Sequence, residues 1–162
     1  MNLIVLAIPV FSLRLGFGDA GNRPETDTTR RGYDLFTEGF GLGFNGPMLI
    51  AARLPGGESD LAALQRVSDN LNETEGVAFA GPAIPNEDGS AAIIQLYATT
   101  APQDEETTDL IHHIRDEVIP AAVEGSTAEV FLGGLTPAAI DFAEYTGARM
   151  PVFFAAVLGL SF

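Results

Sequence analysis

The stretch from Met48 to Leu71, MLIAARLPGGESDLAALQRVSDNL, indicates the fold class of this chain. Its first part, Met48 to Leu54, is apolar apart from one arginine, which is typical of a mostly buried strand, and Pro55-Gly56-Gly57 ends it. Ser59 can then cap a helix, because apolar residues recur at helical spacing after it. These residues are Leu61, Leu64, Val67 and Leu71. One strand followed by one helix is thus predicted.

The residues that follow predict a hairpin, a second helix and a last strand. Val77 to Ala83 and Ala91 to Ala98 form two strands joined by a turn over Pro85 to Gly89, which has Asp-Gly chemistry. Asp104 to Val123 predicts a helix with a proline near its end, and Thr127 to Leu132 alternates as a fourth strand. The order strand, helix, strand, strand, helix, strand predicts an α/β sandwich of the split β-α-β, ferredoxin-like kind, with a four-stranded sheet and two helices on one face.

Two more helices are predicted outside this sandwich. Asp27 can cap a short amphipathic helix over Thr28 to Phe40, which follows a polar, turn-rich loop. Thr136 precedes a proline at what would be the first helical position, so a helix is expected from Pro137 to Arg149.

The two ends of the chain carry uncharged apolar runs. Leu3 to Phe11 and Pro151 to Phe162 have no ionisable side chain, yet each is shorter than the roughly 18 to 20 residues that span a bilayer. A signal peptide would need a basic segment before the first run, and none is present. A buried strand or core helix at each end is the alternative, but the symmetry of the pair favours parts of two transmembrane helices.

These elements divide the chain into five expected segments. They are residues 1–13 as the end of a transmembrane helix, 14–46 as a linker loop with an amphipathic helix, 47–135 as the ferredoxin-like domain, 136–149 as a connecting helix, and 150–162 as the start of a transmembrane helix.

Composition excludes several classes of function. The 22 acidic residues outnumber the eight basic ones, for a net charge of -14, so clustered positive charge for nucleic-acid phosphates is lacking. Cysteine is absent, which removes disulfides, thiolate metal sites and cysteine nucleophiles together. At 162 residues the chain is long enough to bury a core without such cross-links.

No catalytic constellation is found along the sequence. His112 and His113 are adjacent, about 100° apart around a helix, whereas a helical metal pair needs a spacing of three or four. The serines lie in no G-x-S-x-G elbow. Neighbouring carboxylates are numerous, but a chain this acidic contains such pairs by chance. The glycines between Gly39 and Gly43 precede a strand and lack the lysine of a phosphate-binding loop. We therefore expect no enzyme, no cofactor and no metal.

Three phenylalanines are candidates for a hydrophobic passage. Phe17, Phe40 and Phe44 lie in the glycine-rich segments before the first strand, and aromatic side chains commonly line apolar ligand sites. The alternative is that they pack against the membrane interface or against the core of the domain.

Several stretches together resemble the MMPL family of the RND superfamily. At the N-terminal side they are Leu13 to Phe17 (LRLGF), Asp19 to Asn22 (DAGN), Thr29 to Leu35 (TRRGYDL), Glu38 to Gly41 (EGFG) and Gly43 to Pro47 (GFNGP). At the C-terminal side they are Gly147 to Pro151 (GARMP) and Val157 to Phe162 (VLGLSF). These segments are similar to those that follow the seventh and enter the eighth transmembrane helix in that family.

The resemblance implies the second extracytoplasmic porter domain of a proton-driven exporter of lipidic or hydrophobic cargo in the cell membrane. It implies three partners, which are the bilayer at both ends, the rest of the same polypeptide, and the cargo. The acidic residues that couple export to proton flow in the family lie within its transmembrane helices, and neither apolar run here has one. Two alternatives stay open: a periplasmic domain of a protein-translocation auxiliary, and a free-standing ferredoxin-like regulatory module that dimerises through its apolar ends.

Overall fold

The computed structural model describes residues 18–161, and the account below concerns those residues. Gly18 to Ala138 forms one compact unit, and the described part of a second unit is residues 139–161. The site considered below lies within the first unit.

One antiparallel sheet forms the centre of the first unit. Its strands are β1 (Met48–Arg53), β2 (Val77–Ala80), β3 (Ile84–Pro85), β4 (Ala91–Ala98) and β5 (Glu129–Gly134). The spatial order is β2-β4-β1-β5, and the two-residue strand β3 pairs with β4 beside β2. With β3 taken as a continuation of the β2 edge, this is the strand order of the ferredoxin-like fold, and the predicted fold class is confirmed.

The helices follow the predicted order. They are α1 (Thr28–Phe40), α2 (Glu58–Glu73), α3 (Glu105–His113), which continues through a π-helical turn (Ile114–Val118) into α4 (Ile119–Ala122), and α5 (Leu135–Ser161). Short 3-10 turns lie at Ala20–Asn22 and Leu42–Asn45.

The core lies between one face of the sheet and the helices α2 and α3. Alternate side chains of the central strands are buried, which assigns one face of the sheet to the core. The largest fully buried side chains are Met48, Ile50, Leu64, Leu71, Ile94, Leu96, Ile111 and Ile114. Each such side chain stabilises the fold by roughly 1.5–3 kcal/mol relative to its exposure to water. The other face of the sheet carries exposed and half-buried side chains, and we call it the uncovered face.

Contacts and backbone geometry at the start of α2 explain two differences from the prediction. Asp60 is 1% exposed and accepts hydrogen bonds from Gly56 N at 2.6 Å, Thr127 N at 3.0 Å and Thr127 Oγ1 at 2.8 Å. Thr127 is therefore held by the start of α2, and β5 begins two residues later than expected. The expected cap at Ser59 is wrong, because Gly57 holds the N-cap position with φ 62°, a left-handed conformation that suits glycine.

The second predicted strand is interrupted. The pairing with β4 extends as far as Gly81, whose N–H donates to Gln95 O at 2.8 Å. Pro82 has no N–H to donate, so the pairing stops there and resumes at Ile84. Asn72 of α2 closes the outer edge of β2, since its side-chain amide donates to Ala80 O and accepts from Ala80 N at 2.9 and 3.0 Å. An edge strand closed in this way offers little backbone for pairing with another chain.

Prolines also shape the later helices. The π-helical turn precedes Pro120, whose ring would otherwise meet the carbonyl of Asp116, and the extra residue per turn widens the helix there. Helix α5 begins at Leu135, two residues before the prediction, so Thr136 lies within the helix and the expected cap there is wrong. It continues past Arg149 and through Pro151 to Ser161.

The apolar end of α5 is exposed on all sides in the described chain. Every residue from Pro151 to Ser161 is exposed, and none carries a charge. Among the described residues, no helix combines the length and apolar character required to cross a membrane. The expected transmembrane segment at 150–162 remains a prediction, and the one at 1–13 lies outside the described residues.

Candidate functional site: an aromatic run between helix α1 and the sheet

Polar contacts cap helix α1 and join it to the 3-10 turns on either side. Asp27 caps it as predicted, with its carboxylate accepting from Thr29 N at 2.9 Å. At the other end, Asn45 Nδ2 donates to Thr37 Oγ1 at 2.8 Å. Arg30 donates to Gly21 O at 2.6 Å and to the Asp34 carboxylate at 2.7 Å. No residue of α1 is buried, so little apolar burial holds this helix in place.

Four aromatic rings run from α1 to strand β4. The ring centroids of Phe36 and Phe40 are 5.9 Å apart, and those of Phe40 and Phe44 are 5.6 Å apart. Phe44 then stacks on Tyr97 with 4.3 Å between the centroids and 10° between the ring planes. These separations are in the range of attractive ring pairs. We call Phe36, Phe40, Phe44 and Tyr97 the aromatic run.

Two glycines allow the chain to reach the sheet at this point. Gly41 ends α1 with φ 104°, a conformation that side chains rarely adopt. A Cβ at Gly43 would lie 1.7 Å from the carbonyl oxygen of Ala98, so the 3-10 turn passes directly over the end of β4. This close approach brings Phe44 onto the Tyr97 ring.

Tyr97 connects the run to the uncovered face of the sheet. It lies opposite Phe79 on β2, and its hydroxyl accepts a hydrogen bond from Gln95 Nε2 at 2.7 Å. The large exposed apolar side chains on this face are Leu49, Phe79, Ile84, Ile93 and Phe131. Towards the hairpin, the Arg53–Glu129 ion pair at 2.7 Å borders the apolar area.

One tyrosine with a shifted pKa lies close to the run. Tyr33, beside the start of the run on α1, has its pKa raised to about 12 by burial and by the nearby Asp19 carboxylate. Its hydroxyl therefore stays protonated at neutral pH. No group of three or more histidine, aspartate or glutamate side chains in residues 18–161 has an arrangement that could hold a metal ion. The arrangement of the run is suited to contact with apolar molecules rather than to acid–base chemistry.

The structure brings together two of the three predicted passage residues. Phe40 is 64% exposed and lies next to the half-buried Phe44, while Phe17 lies outside the described residues. Sequence reasoning did not connect Phe36 or Tyr97 with these residues. The alternation of β4 could have indicated that Tyr97 points away from the core, but its pairing with Phe44 depends on the close approach at Gly43.

Comparison with known proteins connects the chain to membrane proteins. It is 35% identical over 163 aligned residues to the membrane protein YdfJ of Bacillus subtilis, covering 99% of this chain and 22% of YdfJ. It is 25% identical over 166 aligned residues to the mycolic acid-containing lipids exporter MmpL11 of Mycolicibacterium smegmatis, covering 99% of this chain and 17% of MmpL11. The chain is a relative of the MMPL proteins. It spans about a fifth of the length of these curated relatives.

Other comparisons add less to this MMPL relationship. The solved structure of the mycobacterial membrane protein MmpL11D2 aligns with 53% of this chain and 99% of its own, at a TM-score of 0.41 and 16% identity. A likeness at that level carries no argument by itself, so the fold assignment rests on the strand order given above. No family model matches the chain.

Proposed function

We propose that this chain is the second extracytoplasmic porter domain of an MMPL-type exporter and that the aromatic run forms part of its passage for hydrophobic cargo. The observation that carries the proposal is the relationship over 99% of the chain to MmpL11, whose name describes a lipid exporter. The same relationship favours a transport role over an enzyme and over a free-standing dimeric module.

The chemistry of the aromatic run supports a hydrophobic cargo. Phe36 and Phe40 are exposed, and the run leads without a charged side chain from α1 to Tyr97. Lipid chains would contact these rings through dispersion and the release of water, neither of which requires a fixed direction. The single hydroxyl of Tyr97, oriented by Gln95, would supply a polar contact for a lipid headgroup.

The remaining partners follow from the same role. The uncharged apolar ends at residues 1–13 and 150–162 would enter the bilayer, and the rest of the polypeptide would supply the proton-coupling residues. The acidic first unit would then lie on the extracytoplasmic side. This unit would contribute contact with the cargo and movement with its attached helices.

Extension of the coding sequence tests the assignment as a porter domain. We expect further apolar residues on each side that complete two membrane spans, with a helical bundle beyond each. Coding sequence without such apolar residues on either side would contradict the proposal.

Tryptophan fluorescence tests the passage. The chain has no tryptophan, so Phe40→Trp and Phe44→Trp each introduce one reporter. Brominated fatty acids added to the full chain in mild detergent should quench both reporters. Phe131→Trp, at a residue that is also exposed but belongs to the far edge strand β5, is the matched control. Equal quenching at Phe131 and Phe44 would show that the aromatic run has no preference for the lipid.

A further inference from the structure

We propose that helix α1 lies along the surface of a bilayer, with one uncharged face in the interfacial layer of neutral phospholipids. The proposal rests on the membrane location that the proposed function gives the chain. It adds a lipid contact made by the linker helix and separate from the apolar ends of the chain.

One side of α1 is free of charge. At 100° per residue this side spans an arc of about 140°. Its members are Thr28, Thr29, Gly32, Leu35, Phe36, Gly39 and Phe40. The charged residues of the helix, Arg30, Arg31, Asp34 and Glu38, all lie outside this arc. Helix α1 is therefore amphipathic, with a wide uncharged face whose large apolar side chains are Leu35, Phe36 and Phe40.

The large side chains of this face are exposed, and two of them, Phe36 and Phe40, also form the outer end of the aromatic run. Leu35 is 68% exposed, and Phe36 is 53% exposed. A Cβ added at Gly32 or at Gly39 would meet no atom within 4 Å. The face that contacts the unit is a different one, which carries the half-buried Tyr33 and Thr37. An amphipathic helix normally buries its apolar side, so its outward orientation here indicates an apolar surrounding outside the described chain.

The chemistry of α1 fits a lipid interface. A helix that lies in the interface buries leucine and phenylalanine about 5–10 Å into the headgroup region and keeps a charged face towards water. Thirteen residues give α1 a length of about 20 Å, which is sufficient for such a contact. The exposed and charge-free end of α5 requires an apolar surrounding of the same kind, so the chain presents two surfaces suited to lipid.

The charge of the chain selects the type of lipid. Three of its eight arginines, Arg23, Arg30 and Arg31, lie at or just before the start of α1, where they bond to acidic side chains and backbone carbonyls of the same segment. The net charge of -14 opposes a strongly anionic surface. Neutral phosphatidylcholine is therefore the appropriate probe.

A depth measurement tests the proposal with the full chain. Because the sequence has no cysteine, Leu35→Cys and Phe36→Cys each provide one site for a bimane label. Two controls match them. Glu38→Cys labels the charged side of the same helix, and Phe131→Cys labels a side chain that is 69% exposed on the uncovered sheet face. All four variants are reconstituted with phosphatidylcholine vesicles that carry a nitroxide either near the glycerol or near the methyl end of the acyl chain.

We expect the shallow nitroxide to quench the labels at Leu35 and Phe36 several-fold more than those at Glu38 and Phe131, and the deep nitroxide to quench none of the four. Three results would overturn the proposal. These are weak quenching at all four sites, equal quenching at all four sites, and protection of Leu35 and Phe36 from aqueous iodide without quenching by lipid. The third result would indicate a protein surface on α1.

Failure of the lipid contact made by α1 can be distinguished from failure of the proposed function. Flotation of the unlabelled chain with the vesicles reports the membrane location by itself. If the tryptophan reporters show no passage but the bimane labels are quenched by the shallow nitroxide, the lipid contact of α1 stands without a role in cargo movement. If the chain floats but α1 is not quenched, only the contact made by α1 is refuted.

Discussion

Replacement of Gly43 by alanine tests the close approach that joins α1 to the sheet. The added Cβ would lie 1.7 Å from Ala98 O and 2.5 Å from Ala98 C, and the first separation must grow by about 1.7 Å to reach ordinary van der Waals contact. The atoms that it meets belong to the backbone of β4, which is paired to β1 and β2 and cannot turn aside as a flexible side chain would. The φ of Gly43 is not positive, so the clash is the dominant effect of the substitution.

We expect Gly43→Ala to destabilise the chain by about 2–3 kcal/mol, at the upper part of the range for an inserted methyl group. For a chain of this length that change lowers Tm by roughly 4–12 °C. The measurement is urea unfolding monitored by circular dichroism. The parent chain and the Gly43→Ala variant must have the same m-value for their free energies of unfolding to be compared. Displacement of Phe44 from Tyr97 should also weaken quenching of a Phe44→Trp reporter by brominated fatty acid.

Gly32→Ala is the matched control for Gly43→Ala. Gly32 lies in the interior of α1, where a Cβ meets no atom within 4 Å, so alanine should stabilise the chain by about 0.5–1 kcal/mol. The opposite signs of two glycine-to-alanine changes are the distinctive expectation. Substitutions at exposed sites usually change the free energy of unfolding by less than about 0.5 kcal/mol. A change that small for Gly43→Ala would refute the close approach.

Three further predictions concern the core and two titrating groups. Ile94→Ala should lower the free energy of unfolding by about 2–5 kcal/mol, whereas Ile93→Ala on the uncovered face should cost less than about 1 kcal/mol in the same urea experiment. Burial raises the pKa of Asp60, but its three hydrogen bonds outweigh that effect and hold the pKa below the usual value. The stability that Asp60 provides should therefore be present above about pH 4 and be lost as the pH falls through its folded pKa. Asp60→Asn should have a lower Tm at neutral pH and less acid dependence, and a parent-like acid profile would contradict this. The pKa of Tyr33 is raised to about 12, so stability should decline as the pH rises above about 10 and towards 12. Thermal melts of Tyr33→Phe should show a smaller alkaline decline, and an unchanged decline would exclude Tyr33 as its source.

Local patterns predicted the elements better than their ends. The apolar spacing after Pro55 gave α2, and the strand predicted over Ala91 to Ala98 beside the Asp-Gly turn is β4 with unchanged bounds. The start of β5 was predicted two residues early, because the contact that removes Thr127 from the ladder is made by Asp60, 67 residues away. A strand end that depends on so distant a hydrogen bond leaves no local signal.

The candidate site was predictable only in part for a similar reason. Aromatic residues among glycines indicated Phe40 and Phe44, because glycine permits close approach of backbone to another surface. Which surface is approached was not visible, so the ring of Tyr97 was missed.

The sequence by itself determined the order of strands and helices, the acidic and cysteine-free composition, the uncharged ends, and the family-like segments on either side of the sandwich. These properties are local or additive, so they can be found without coordinates. The tertiary structure decided which face of the sheet is uncovered, that the apolar side of α1 points outward, and that Phe44 stacks on Tyr97. Each of these depends on residues brought together from distant parts of the chain, as at Gly43 and Ala98, where backbone meets backbone.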